Sequence, residues 1–273
     1  MKNYIISIIF LCSSYLSFAQ PNCNYFLHIG DSLKYEACKE TEKASGHYQF
    51  SKEFQMAMDK AIAIDSTFSY PYRAKSVAYL KSGDFIEWKK LIDLAVKYDA
   101  LGNLGYRASC RYQFFRDYGG TIVDIEELSR ISNFDIGHSA NGNYHLEVVR
   151  ALCYKALDKK QKAIEIIEAQ LKTEEYVIGI YDYIHLGVLY LEIGDLSNAK
   201  LNFEKQQEYN DLAENHFYMI QVLLKENKME QAKKELEKTQ ALYEIGYVMA
   251  DPYVHPEDKI YWSMIEEAKK LLK

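Results

Sequence analysis

Residues 183–203 read Tyr-Ile-His-Leu-Gly-Val-Leu-Tyr-Leu-Glu-Ile-Gly-Asp-Leu-Ser-Asn-Ala-Lys-Leu-Asn-Phe. Large side chains at Tyr183, Leu186 and Tyr190 recur at helical spacing, the pair Gly194-Asp195 interrupts the pattern, and Ala199 and Phe203 resume it four residues apart. This predicts two antiparallel helices. Gly194 stops the first in a left-handed conformation, and Asp195 accepts from the free N–H groups that begin the second. Gly187 and Ala199 are small enough to stand where the helices cross, with Tyr183, Leu186, Tyr190 and Phe203 filling the flanking space. One such hairpin cannot bury its own faces, so neighbours must supply the missing surface.

The same order of residues recurs outward from this stretch. Tyr72-Arg73-Ala74 returns as Tyr106-Arg107-Ala108 after 34 residues, and Ala163, Ala199 and Ala232 are separated by 36 and 33. A second unit shows Tyr72, Tyr79, Gly83-Asp84 and Ala95, with Trp88 at a position that elsewhere holds a small residue. A fourth has Ala151, Tyr154, Ala163 and Ile167 with Asp158 at the turn, and a sixth has Leu223, Asn227, Ala232 and Leu236. The first unit, 31–64, has a stretched turn near Gly46; in the third, 106–131, Gly119-Gly120 displaces the turn. Periods in this range mean stacked supersecondary units.

With its aromatic, Leu-Gly, Tyr, Gly-Asp, Ala and aromatic positions, the fifth unit resembles a tetratricopeptide repeat, and the likeness extends over most of 31–244. The resemblance implies an all-α fold, a right-handed superhelical stack of antiparallel helix hairpins. The Lys- and Glu-rich stretch from Asp258 to Leu272 is expected to be a capping helix with a polar outer face. The repeat domain is expected over 31–273, after an N-terminal segment at 20–30. The coil from Ser132 to Asn143 is expected to divide it into lobes at 31–132 and 142–273.

Composition agrees with a helical, globular chain: of 273 residues 48% are hydrophobic, with 24 Tyr, only 13 Gly and 4 Pro. Disorder and collagen-like character are excluded. The formal charge of -6 argues against a nucleic-acid partner. Met1-Lys2-Asn3, the apolar run Tyr4 to Phe18 and Ser17-Phe18-Ala19 read as a secretory signal over 1–19, cut ahead of Gln20. The run falls short of the roughly 20 residues that span a bilayer, so no membrane insertion is expected after cleavage. The expected location is the periplasm or the exterior. There Cys23 and Cys38, 15 apart, either close a disulfide or stand as two thiols. Cys110 and Cys153, inside helical patterns, read as small buried hydrophobes.

No catalytic, cofactor or metal motif stands out. Gly137-His138-Ser139-Ala140-Asn141 approaches a nucleophile elbow but lacks the second Gly and the strand leading into it. Gly119-Gly120-Thr121 has no Lys after it to hold a phosphate. The chain is therefore read as a non-enzyme.

In proteins of the resembled family the first helices of successive hairpins line a groove that holds a peptide or partner helix. By that resemblance Arg73, Lys81, Arg107, Arg111, His145, Lys155 and Tyr181 face the groove, together with Val77, Leu80, Phe114, Leu152, Ile184 and Val188. The cations form a basic strip in an acidic protein, suited to carboxylates of an acidic peptide or a chain terminus. The opposing possibility is that the protein's own Asp and Glu neutralise them. The function read from the sequence is an exported scaffold that binds a protein or peptide partner. The alternatives are a fixed structural subunit of an envelope assembly and a hydrolase using the loop at 137–145.

Overall fold

The computed structural model describes residues 20–272, and the leader expected over 1–19 lies outside them. The described residues are helical, with no strand among them beyond one isolated antiparallel bridge between His138 and His145. They fall into two compact units, the first ending at Tyr98 and the second beginning at Asp99. This boundary lies well before the 132–143 coil at which two lobes are expected. The coil belongs inside the second unit, where the Ala140 N–H donates to Ser109 Oγ (3.2 Å) and the Leu146 N–H to the Gly137 carbonyl (2.9 Å).

The first unit contains α1 (Cys23–His28), α2 (Ser32–Glu42), α3 (Lys52–Ile64), α4 (Ser69–Ser82) and α5 (Phe85–Tyr98). α2 pairs with α3 and α4 with α5, and α3 packs on α4. A disulfide joins Cys23 of α1 to Cys38 of α2, with Cα atoms 5.4 Å apart, and it lies in a cluster with Ala37, Ala61 and Phe68. The stretched turn at 43–51 passes through Gly46 in a left-handed conformation. Trp88 is buried in α5.

The second unit contains α6 (Ala100–Cys110), α7 (Tyr118–Ile131), α8 (Leu146–Ala156), α9 (Lys160–Leu171), α10 (Asp182–Ile193), α11 (Leu196–Tyr209), α12 (Ala213–Lys225), α13 (Met229–Glu244) and α14 (Trp262–Leu271). Four consecutive hairpins, α6/α7 to α12/α13, pack side by side, and α6, α8, α10 and α12 also meet one another in turn. Helices that contact their neighbours along the chain in this way form an α-helical solenoid.

The local devices explain the turns. Gly194 ends α10 at φ +85°, and Asp195 Oδ1 accepts from the Asn198 N–H at 3.0 Å to begin α11. Asp158 and Asn227 take the glycine's place after α8 and α12, both at φ +58°. Gly187 is the close-approach position: a Cβ there would stand 2.4 Å from the ring of Phe203, which is fully buried. Two expectations need correcting. Gly119-Gly120 is not a displaced turn but the first turn of α7, capped by Asp117, whose Oδ1 accepts from the Gly120 N–H at 2.9 Å. The chain reverses just before it, at Arg116 (φ +52°), after a π-helical turn Arg111–Phe115. The capping helix starts at Trp262 rather than Asp258, because Asp258 is itself in the left-handed region (φ +62°). Residues 246–261 are non-helical.

Candidate functional site

In the first unit, α4 carries Arg73 and Lys81. A cavity of about 270 Å³ opens beside this helix, against the 44–49 turn. Its wall is apolar at Phe54, Tyr70, Ala74 and Val77 and polar at His47, Gln49 and Arg73; no Asp or Glu lines it. Lys81 Nζ donates to Gln49 Oε1 at 3.0 Å, which brings a second cation to the rim. Burial raises the pKa of the Tyr70 phenol, and the charge of Arg73 opposes that rise. The site is thus a half-apolar, cationic recess.

In the second unit, Arg107 and Arg111 have a different employment. Both grip Asp124 of α7: Arg107 Nε and an Nη donate to its two oxygens at 2.9 and 2.6 Å, and an Nη of Arg111 donates at 2.9 Å. Arg111 also donates to the Gly120 carbonyl at 3.0 Å. Asp124 is 1% exposed. The pair clamps α6 and its π-helical extension to α7, because a buried carboxylate needs this compensation. His145 is likewise structural. Its Nδ1 accepts from the Glu147 N–H (3.1 Å) as the N-cap of α8, so Nε2 carries the proton and donates to Asp135 Oδ1 at 2.7 Å. Leu152, Ile184 and Val188 are buried in the core rather than presented on an open face.

Lys155 and Tyr181 do meet a peptide, and it is the protein's own. The Tyr181 hydroxyl accepts from the Ala250 N–H at 3.1 Å and donates to the Ala250 carbonyl at 3.3 Å. Glu214 in α12 accepts from the N–H groups of Met249 (3.1 Å) and Ile260 (3.3 Å). Tyr218 donates to the Asp258 carbonyl at 3.0 Å. The Asp258 carboxylate pairs with Lys155 of α8 and hydrogen-bonds His185 Nδ1 of α10 at 2.7 Å. Lys155 also lies 3.4 Å from Glu192. Segment 246–261 therefore lies across α8, α10 and α12, the first helices of three successive hairpins.

The electrostatics follow from burial. Burial alone would raise the pKa of Asp258, but the charge of Lys155 and the hydrogen bond with His185 outweigh it and hold the carboxyl below its ordinary value. Burial likewise presses the ammonium of Lys155 downward, and Asp258 and Glu192 more than offset this, leaving it raised. Glu214 is pushed up by burial, against the backbone N–H groups it accepts from.

His185, Glu214 and Tyr218 are absent from the set of groove residues expected from the sequence. The available signal is spacing: Tyr181 with His185, and Glu214 with Tyr218, lie four apart, which puts each polar pair on one helix face. In the 137–145 loop, Ser139 Oγ donates to Asn141 Oδ1 at 2.7 Å and accepts from the Tyr144 N–H at 3.2 Å, a turn-stabilising role. Cys110 and Cys153 are buried and outside the disulfide, and burial raises the pKa of Cys153 to about 12.

No family model and no curated protein matches this sequence. Among solved structures it is similar to PilF of Pseudomonas aeruginosa, with a TM-score of 0.56 and 14% identity over 81% of this chain and 92% of that one. It is similar to PilW, a widely conserved type IV pilus biogenesis factor, with a TM-score of 0.56 and 9% identity over 92% and 95%. It is also similar to YrrB, a tetratricopeptide-repeat protein with an unusual peptide-binding site, with a TM-score of 0.56 and 16% identity over 79% and 99%. At these identities the likeness is one of fold. With six hairpins among the described residues and these neighbours, the chain has the fold of tetratricopeptide-repeat proteins.

Proposed function

We propose that the protein is an exported interaction scaffold whose first unit holds an acidic, extended peptide of a protein partner in the recess beside α4. The observation that carries this reading is the composition of that recess: in a chain of net charge -6 it sets Arg73 and His47 beside an apolar wall, with Lys81 at its rim. A guanidinium next to an apolar wall suits a carboxylate-bearing segment that also buries a side chain. Export rests on the signal-like pattern of 1–19 and on the Cys23–Cys38 bridge, a pairing that persists in oxidising compartments.

The test is fluorescence anisotropy with an Asp/Glu-rich decapeptide and its Asn/Gln counterpart, against the full chain and Arg73→Glu/Lys81→Glu. The acidic peptide is expected to bind and the amide peptide to bind at least about tenfold more weakly, a difference of about 1.4 kcal/mol. The double substitution is expected to abolish binding while changing unfolding stability by less than about 0.5 kcal/mol, and added salt is expected to weaken the wild-type complex. Equal binding of both peptides, or binding untouched by the double substitution, overturns the reading.

A further inference from the structure

The face formed by α8, α10 and α12 is already filled, and the manner of filling says what else it accepts. The segment at 246–261 adds neither a helix nor a strand to the fold. Much of 250–257 is exposed, while Met249 and Ile260 at its two ends are fully buried. Between these anchors the stack holds it mainly by backbone groups, through Tyr181 at Ala250, Glu214 at Met249 and Ile260, and Tyr218 at Asp258. Backbone contacts give affinity without regard to side-chain identity, and single pockets give the specificity. The specific contacts here are those of Asp251, which accepts from Nδ2 of Asn141 and of Asn143, and the cationic pocket for the Asp258 carboxylate, made by Lys155 and His185.

We propose that residues 246–261 are a built-in ligand of the second unit, and that the partner able to replace them is an extended peptide carrying a carboxylate two residues before an apolar anchor, as Asp258 stands before Ile260. The segment is an autoinhibitory occupant: it is tethered, so its effective concentration is of the order of millimolar, and an untethered peptide competes only at comparable concentration or when the internal segment is weakened. This inference concerns the second unit and stands apart from the reading of the first.

Asp258→Asn is the variant of choice, because Lys155 keeps Glu192 at 3.4 Å and so is not left as a lone buried charge. Two measurements on the full chain decide the matter. In hydrogen exchange, the amides of Met249, Ala250 and Ile260 in the wild type are expected to exchange at least about thirtyfold faster than those of α12, by local opening, and Asp258→Asn is expected to widen that gap. Exchange of these amides together with α12, in wild type and variant alike, marks the segment as fixed core and overturns the proposal. In the second measurement, a fluorescein-labelled peptide of sequence 246–261 is titrated to about 1 mM. Saturable binding to Asp258→Asn, little to the wild type, and none by the same peptide carrying Asn at 258 is the expected pattern. Absence of saturable binding to the variant overturns it. Neither measurement involves Arg73 or Lys81, so a failure here leaves the first unit's recess to be judged by its own test.

Discussion

The two units use the same hairpin and give their cations opposite settings. In the first, Arg73 and Lys81 of α4 stand at a recess with no carboxylate in its wall. In the second, Arg107 and Arg111 are locked on Asp124, and Lys155 is paired with Asp258 of the chain's own C-terminal segment. A positive side chain on the first helix of a repeat is therefore not in itself a binding residue. What decides is the surroundings into which the fold sets it.

The largest expected effect tests the closed side of this contrast. Asp124→Ala removes the carboxylate shared by two partly buried guanidinium groups and is expected to cost about 4 kcal/mol in denaturant unfolding. The neutral triple Arg107→Met, Arg111→Met and Asp124→Leu should recover much of that loss, as replacement of a whole buried ion cluster by apolar groups often does. A loss of under about 1 kcal/mol from Asp124→Ala alone means that the clamp is solvated and the contrast with Arg73 is one of degree.

The next effect belongs to the first unit. Reducing the Cys23–Cys38 bridge reopens a loop of 15 residues, and on the chain-entropy account this is expected to cost about 3 kcal/mol. Hydrogen exchange should report it as faster exchange in α1 and α2, with α8 to α13 unmoved. Uniform loosening of all helices would erase the distinction between the units.

The smallest effect sharpens the contrast by pH. The pKa of Asp258 is lower in the folded chain than the ordinary 3.8, so its contribution to stability is present above that value and is lost as pH falls through the folded pKa. Wild type is therefore expected to lose more stability than Asp258→Asn on acidification from about pH 5 to about pH 3, read from denaturant midpoints. Parallel losses in the two proteins mean that the carboxylate is not held by Lys155 and His185.

The hairpins were legible in the sequence because their determinants are local. Gly194-Asp195 at a turn and Gly187 against Phe203 each act within one hairpin, and the spacing alone announces them. Asp158 and Asn227 could be placed at turns because those residue types tolerate left-handed backbone. The candidate sites were legible only in part. Lys155 and Tyr181 could be assigned to the first-helix face by register, yet what meets them lies 103 and 69 residues further along the chain. No periodicity carries that information. Arg107 and Arg111 show the same limit at shorter range: their helix face can be read from the sequence, but not that Asp124, one helix on, turns inward to take both.

The division of labour along segment 246–261 has an evolutionary corollary. Since Tyr181 holds the amide and the carbonyl of Ala250, the letter at 250 is free to drift while the segment stays seated. Position 258 has no such liberty. An insertion or deletion between the Met249 and Ile260 plugs would shift Asp258 out of reach of its ammonium and imidazole, so the spelling can wander but the ruler cannot.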